Sequence, residues 1–352
     1  MSFSDILAAS AVVLNGLPQA LLALTYGFAA LPTTLAFIVG AVGAIVFKSV
    51  MPISFQAETI VMAGSLSDKR EERLSMVLLT GIVMTIIGAV GLLNPTIDFI
   101  GATILNGMMA GVGIILAKVA IDMTKANPLV GGVSVLSALL IYVFTNDLVY
   151  TIVVSVVLSS IAGMMKHGQA QIGSQALQYE KFSLTKPVWN KRVLRGVLAL
   201  TTLTIGGNIA YGSITASIAN SGANIDQLTL YSGIASAVSA AFGGGPVEAI
   251  ISGTAAAPNP MASGILMMVI MAAVLALGLL PKMAKYVPAQ SIAGFLLVLG
   301  AIVVFPTNMS AAFEGNPIIA GVTAVVTASV DPFTGMLAGV VLRTLLIMTG
   351  GF

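Results

Sequence analysis

The stretch "AFGGGPVEAIISGTAAAPNP", Ala241 to Pro260, decides how this chain must fold. Three glycines and a proline interrupt a strongly apolar region, and Glu248 follows Pro246 by two residues. Glycine and proline both weaken a helix interior, and a carboxylate in hydrocarbon is expensive. An earlier stretch, "FKSVMPISFQAETIVMAGS" from Phe47 to Ser65, has the same construction, with Pro52 ahead of a short apolar run and Glu58 inside it. Short or Gly/Pro-interrupted segments at matching places in two halves of a membrane chain point to the site of a secondary transporter, where broken backbone lines a cavity.

The surroundings of these two stretches are those of a membrane protein. Of 352 residues, 57% are hydrophobic and 8% charged, with a mean hydropathy of +1.03. A soluble domain is about a quarter charged. The N-terminus "MSFSDILAAS" lacks the positive region of a signal peptide. A net charge of +2 gives no reason to expect nucleic acid. The absence of cysteine excludes disulfides, thiolate metal sites and cysteine nucleophiles. The single histidine, His167, sits in "MMKHGQAQ" without a second ligand at metal spacing, so no metal site is expected.

A helix needs roughly 20 apolar residues to cross a bilayer, and fewer if it is broken. Such segments fall near 5–30, 32–50, 53–65, 74–93, 97–119, 128–145 and 148–165. After the polar stretch "KHGQAQIGSQALQYEKFSLTKPVWNKR" come 194–219, 227–242, 246–257, 261–281, 288–305, 316–330 and 333–350. The expected fold is therefore an all-α integral membrane protein with 14 transmembrane segments. Residues 1–165 and 194–352 form two inverted seven-span repeats, joined by a basic polar linker at 166–193. The third and tenth segments are the short, broken ones, and the expected location is the inner cell membrane.

In this reading Pro52, and Gly244, Gly245 and Pro246, mark the N-termini of two half-helices whose free N–H groups face a polar cavity. Glu248 would lie in a first helical turn, where the helix dipole favours a carboxylate. Glu248 and Ser252 would share a helix face at i and i+4, as would Ser54 and Glu58. Asn208 and Tyr211 lie in "TIGGNIAYGSIT". An asparagine supplies both a donor and an acceptor, and a tyrosine can stack on a planar ring. Gln19 and Gln56 complete the candidate binding residues, with interhelical hydrogen bonding as the other reading of Gln19 and Asn208. Asn106, in "ILNGMMAGVG", fits a small-residue packing face better than a site.

"AAFGGGPVEAIISGTAAAPNPMASGI" resembles the tenth-helix signature of the nucleobase–cation symporter 2 family, which includes uracil, xanthine and adenine/guanine/hypoxanthine permeases. "VPAQSIAGFLLVLGAIVV" resembles the opening of that family's twelfth helix, "ILNGMMAGVGIILAKVAI" its fifth, and "LPQALLAL" its first. The resemblance implies two inverted seven-helix repeats, with strand-plus-helix third and tenth segments meeting between a core and a gate domain. It also implies proton-coupled uptake of a planar base. The family's carboxylates in helices eight and ten fall near Asn208 and Ser252, so the usual pair is replaced here, and Glu58 is left to share the role. Sulfate-permease-type anion transporters share the same fold.

Lys69, Arg70 and Arg73, Lys118 and Lys125, the linker's basic residues, and Lys282 and Lys285 all fall on connections of one side. The positive-inside rule makes that side cytoplasmic and puts both termini outside. The family resemblance implies the reverse.

The functional expectation is a secondary active transporter for a nucleobase or related planar heterocycle. It would work by alternating access, without a cofactor, coupled to H+ or Na+, in contact with lipid and with a homodimer as the assembly. The alternatives are a small-anion transporter of the sulfate-permease-like fold, or a channel. No cluster of catalytic residues supports an enzyme, and no Walker motif supports an ATP-driven pump.

Overall fold

A computed structural model describes residues 1–167, 180–284 and 286–349. It begins with α1 (Phe3–Thr25), α2 (Ala30–Val46), strand β1 (Ile53–Ser54), α3 (Ala57–Leu66) and α4 (Arg70–Val90). Next come α5 (Leu93–Ile100), α6 (Ala102–Ala126), α7 (Pro128–Thr145) and α8 (Leu148–His167). Beyond the linker lie α9 (Lys191–Ile218), α10 (Ile225–Ala241), strand β2 (Glu248–Ala249) and a short 3-10 turn, Gly253–Ala256. The chain continues through α11 (Pro260–Ala276), α12 (Leu279–Ala284), α13 (Ala289–Phe313), α14 (Pro317–Ser329) and α15 (Pro332–Met348).

Among the described residues, α1, α4, α6, α7, α9 and α13 are long and apolar enough to cross a membrane, and the remaining apolar helices are shorter. This is a multi-pass membrane protein. Several helix starts are set locally. Asn190, Asn224, Asn316 and Asp331 each cap a helix by accepting a backbone N–H, and Pro128, Pro260, Pro317 and Pro332 occupy first-turn positions where the missing N–H costs nothing.

The long helices pack as α4 on α10, α2 on α11 and α2 on α10, with α6 against α13 and α14. Small residues make these contacts close. A Cβ added at Gly81 of α4 would lie 2.6 Å from the Ala237 backbone nitrogen, and one at Gly233 of α10 would lie 2.6 Å from that of Thr85. Without side chains there, the two backbones touch and dispersion contacts replace lipid. In α13 the turn widens to π-helix over Val298–Val304.

Both broken stretches depart from the helical expectation in one respect. Each proline is followed by a strand before any helix. β1 and β2 pair antiparallel, with Ile53 opposite Ala249 and Ser54 opposite Glu248. The pairing supplies partners to backbone groups that have left their helices in a region without bulk water.

The linker, described from Glu180 onward, is anchored rather than loose. The Glu180 carboxylate accepts the Ala30 and Leu31 N–H groups at 2.7 and 3.0 Å, capping α2, whose own cap residue Ala29 offers no side-chain bond. Ser183 and Thr185 donate their N–H groups to the carbonyls of Phe242 and Ala241 at the end of α10. Residues 168–179, in the middle of the expected linker, lie outside the described residues.

Candidate functional site

The site is built at the downstream ends of the two strands. After β1, Gln56 takes the N-cap position of α3 with extended backbone. Its side-chain amide donates across the pair to the Ala249 carbonyl. The first free N–H of α3, at Ala57, is taken by the Gln19 side-chain oxygen of α1 at 3.0 Å. Glu58 is in the first turn of α3, and the Tyr211 hydroxyl of α9 donates to its Oε1 at 2.9 Å. After β2, Ser252 is the N-cap of the 3-10 turn and accepts the Thr254 N–H.

A cavity of about 130 Å³ opens beside this junction. Its polar wall is Asn15, Gln19, Ser54, Gln56, Glu58 and Tyr211. Its apolar wall includes Ile250 and Ile251 and, from α13, Phe295, Leu299, Val303 and Val304. No lysine, arginine or histidine is among its described lining residues. Small-molecule sites have this make-up, mostly apolar with a few placed polar groups.

Five of the expected residues therefore meet: Gln19, Ser54, Gln56, Glu58 and Tyr211. The other three stand elsewhere. Glu248 lies in β2 rather than in a first helical turn, so it shares no helix face with Ser252. Its Oε1 accepts from Thr204 at 2.7 Å, and Thr59 bonds it as well. It borders a separate space of about 10 Å³, room for one water, among Thr59, Thr80, Thr204, Ser232 and Ser236. Asn208 is fully buried and bonds Thr229 and Ser232 of α10 and the Ala249 N–H, which is the interhelical reading of that residue. Ser252 takes its N–H to Thr215 and its hydroxyl to Thr254.

The glycine turn also differs from expectation. Its N–H groups do not face a cavity. Gly244 N–H goes to the Ser239 carbonyl, and Gly245 N–H to the Thr33 hydroxyl at 2.8 Å. Val247 N–H goes to Ser236. Pro52 and Pro246 are buried at the entries of the strands rather than at helix N-termini. The turn serves to thread the chain between α2 and α10, where Ala29 bridges Gly244.

Two polar residues were missed by sequence reasoning. Asn15 lies four residues before Gln19, so an amide pair on one face of an apolar helix was the available signal. Thr204 stands in the same relation to Asn208, but a threonine in a membrane helix carries little signal of its own.

The fold is that of known transporters. The chain is similar to the transmembrane domain of a cyanobacterium bicarbonate transporter, BicA, with a TM-score of 0.72 and 16% identity over 96% of this chain and 98% of that one. It is also similar to the murine Solute Carrier 26 family member A9 anion transporter in the inward-facing state, with a TM-score of 0.70 and 14% identity over 99% of this chain and 68% of that one. No family model and no curated protein matches the sequence.

These neighbours overturn the resemblance to the nucleobase–cation symporter 2 family. The motifs that carried it are backbone determinants: a glycine turn, a proline, a short segment and a Gly/Pro exit. Any chain that builds this strand crossing needs them, whatever it binds.

Proposed function

We propose that the protein is a secondary transporter, not an enzyme, that moves a small anion across the membrane by alternating access. The observation that carries this reading is the 130 Å³ cavity beside the crossed strands, in a fold shared over nearly its whole length with a bicarbonate transporter's membrane domain. In this reading Gln19, Gln56 and Tyr211 position the substrate, and α13 forms the opposing apolar wall.

The same proposal places 14 segments in two inverted repeats, 1–165 and 194–352, joined by the 166–193 linker. Packing supports it. Exchanging the halves turns the α4–α10 contact into α11–α2, α4–α9 into α11–α1, α7–α8 into α14–α15, and α9–α15 into α1–α8, and all of these contacts exist. A homodimer and cytoplasmic placement of the basic face complete the proposal.

The test is flux into proteoliposomes containing the purified chain, using labelled bicarbonate, chloride, sulfate and formate. Uptake of at least one above protein-free vesicles, lost on blocking the cavity with Gly16→Trp at an α1 glycine on its wall, is the expected result. Uptake of none of these anions would sink the proposal.

A further inference from the structure

Residues 180–192 form a strap across one end of the helices, and its two sides differ in chemistry. The inner side is bonded down. Glu180 caps α2, Ser183 and Thr185 bond the end of α10, and Val188 donates its N–H to Ser75 of α4 at 2.9 Å. The Phe182 ring stands edge-on to Phe242, with centroids 6.1 Å apart. Glu180, the one acidic residue of the strap, is thus turned inward and occupied by backbone donors.

The outer side carries Phe182, Leu184 and Trp189, exposed by 51%, 74% and 73%. Lys181, Lys186, Lys191 and Arg192 are interleaved with them, and all four are exposed. Arg192 also pairs with Glu72, so the outward charge rests on the three lysines. The nearby stretch 68–73 holds three acidic and three basic residues and is neutral as a whole, so it does not offset that charge. Single exposed apolar side chains are ordinary. Leucine and tryptophan held nearly bare on a backbone that is bonded in place are not, unless something apolar covers them. The position of the strap says what does. It bonds the first turn of α2 and the last turn of α10, so it lies where these helices end. Below it, α2 and α4 turn Ile38, Val42, Ile82 and Ile86 outward, the kind of surface that lipid covers.

We propose that the outer side of this strap binds the anionic phospholipids of the surrounding bilayer. Leu184 and Trp189 sit at the boundary of headgroups and acyl chains, the level at which tryptophan collects in membrane proteins. Lys181, Lys186 and Lys191 lay their apolar stems along the same boundary and reach lipid phosphates with their ammonium groups. In the proposed placement of the basic face this is the cytoplasmic leaflet, whose lipids carry negative charge. The lipid site does not depend on which solute the protein moves.

Trp189 is the single tryptophan of the chain, so its fluorescence reports this surface alone. The test reconstitutes the full-length protein into vesicles of equal phosphatidylcholine and phosphatidylglycerol, with acyl chains brominated on one lipid or on the other. Bromine quenches only a ring in contact with the chain that carries it. Both lipids should quench Trp189, with phosphatidylglycerol preferred about fivefold, the effect of one basic side chain per headgroup. Added salt should shrink the preference. Lys181→Gln, Lys186→Gln and Lys191→Gln combined, all at exposed positions, should equalise the two lipids while Trp189 stays quenched. Absence of quenching by either lipid would place the strap in water and overturn the proposal. Equal quenching by the two lipids in the unsubstituted protein, or an unaltered preference in the triple variant, would overturn it as well.

Discussion

Ser54 and Glu248 face each other across an antiparallel ladder, and the same sequence offset that separates them separates Pro52 from Pro246. In the proposed repeat, each is thus paired with its own counterpart. One counterpart, Ser54, opens onto the 130 Å³ cavity, and the other, Glu248, onto the water-sized space. The two strands are built alike and differ in the space that each side chain borders.

The division of labour between the carboxylates is testable. Thr204→Val leaves Glu248 without its 2.7 Å donor and should lower stability by about 1–3 kcal/mol, with little change in anion KM. Urea or thermal unfolding, alongside flux, checks this. A raised KM at unchanged stability would put Glu248 in the binding site after all.

Tyr211→Phe keeps the ring and deletes the hydroxyl that holds Glu58. That contact holds Glu58 in place on the cavity wall, so without it the anion's apparent affinity should fall about tenfold, ~1.4 kcal/mol of binding. Flux at graded anion concentration measures it.

The chain contains no cysteine, so single cysteines can map the cavity directly. Ser54→Cys should react with a small water-soluble methanethiosulfonate and be protected by saturating substrate. Asn208→Cys, fully buried between α9 and α10, should not react. Equal reactivity at the two positions would contradict the placement of the cavity.

Helix contact can be tested by adding one methyl group. Gly81→Ala brings a Cβ within 2.6 Å of the α10 backbone and should destabilise by about 1–3 kcal/mol. Gly132→Ala meets nothing within 4 Å and should be neutral or slightly stabilising. Melting temperatures of the two variants in one detergent give the comparison.

Much of this architecture could be read from residues because the bilayer leaves few options. Apolar length places helices, and Gly/Pro clusters place their interruptions. The strands could not be read from the residues themselves, because two-residue strands have no periodicity and exist only through each other. Glu248 misled for the same reason. Behind a proline it looked like a helical first turn, whereas pairing with Ser54 holds it extended. Substrate chemistry was the least legible part. The glycine and proline motifs encode the crossing, whereas the side chains that wall the cavity, such as Asn15, Ser54 and Glu58, come together only in space.

The π-helical run Val298–Val304 contributes Leu299, Val303 and Val304 to the cavity. A wide turn of this kind holds about one residue more than an α-helix needs, and such turns recur at functional positions. Removing a single residue from the run would let α13 close into regular α-helix without shortening its neighbours. Because the wide turn absorbs the extra residue, the helix on either side would keep its orientation. A one-codon deletion here would therefore flatten the widened stretch of the cavity wall while leaving the rest of α13 in register, whereas the same deletion in a regular α-helix would turn everything beyond it by about 100°.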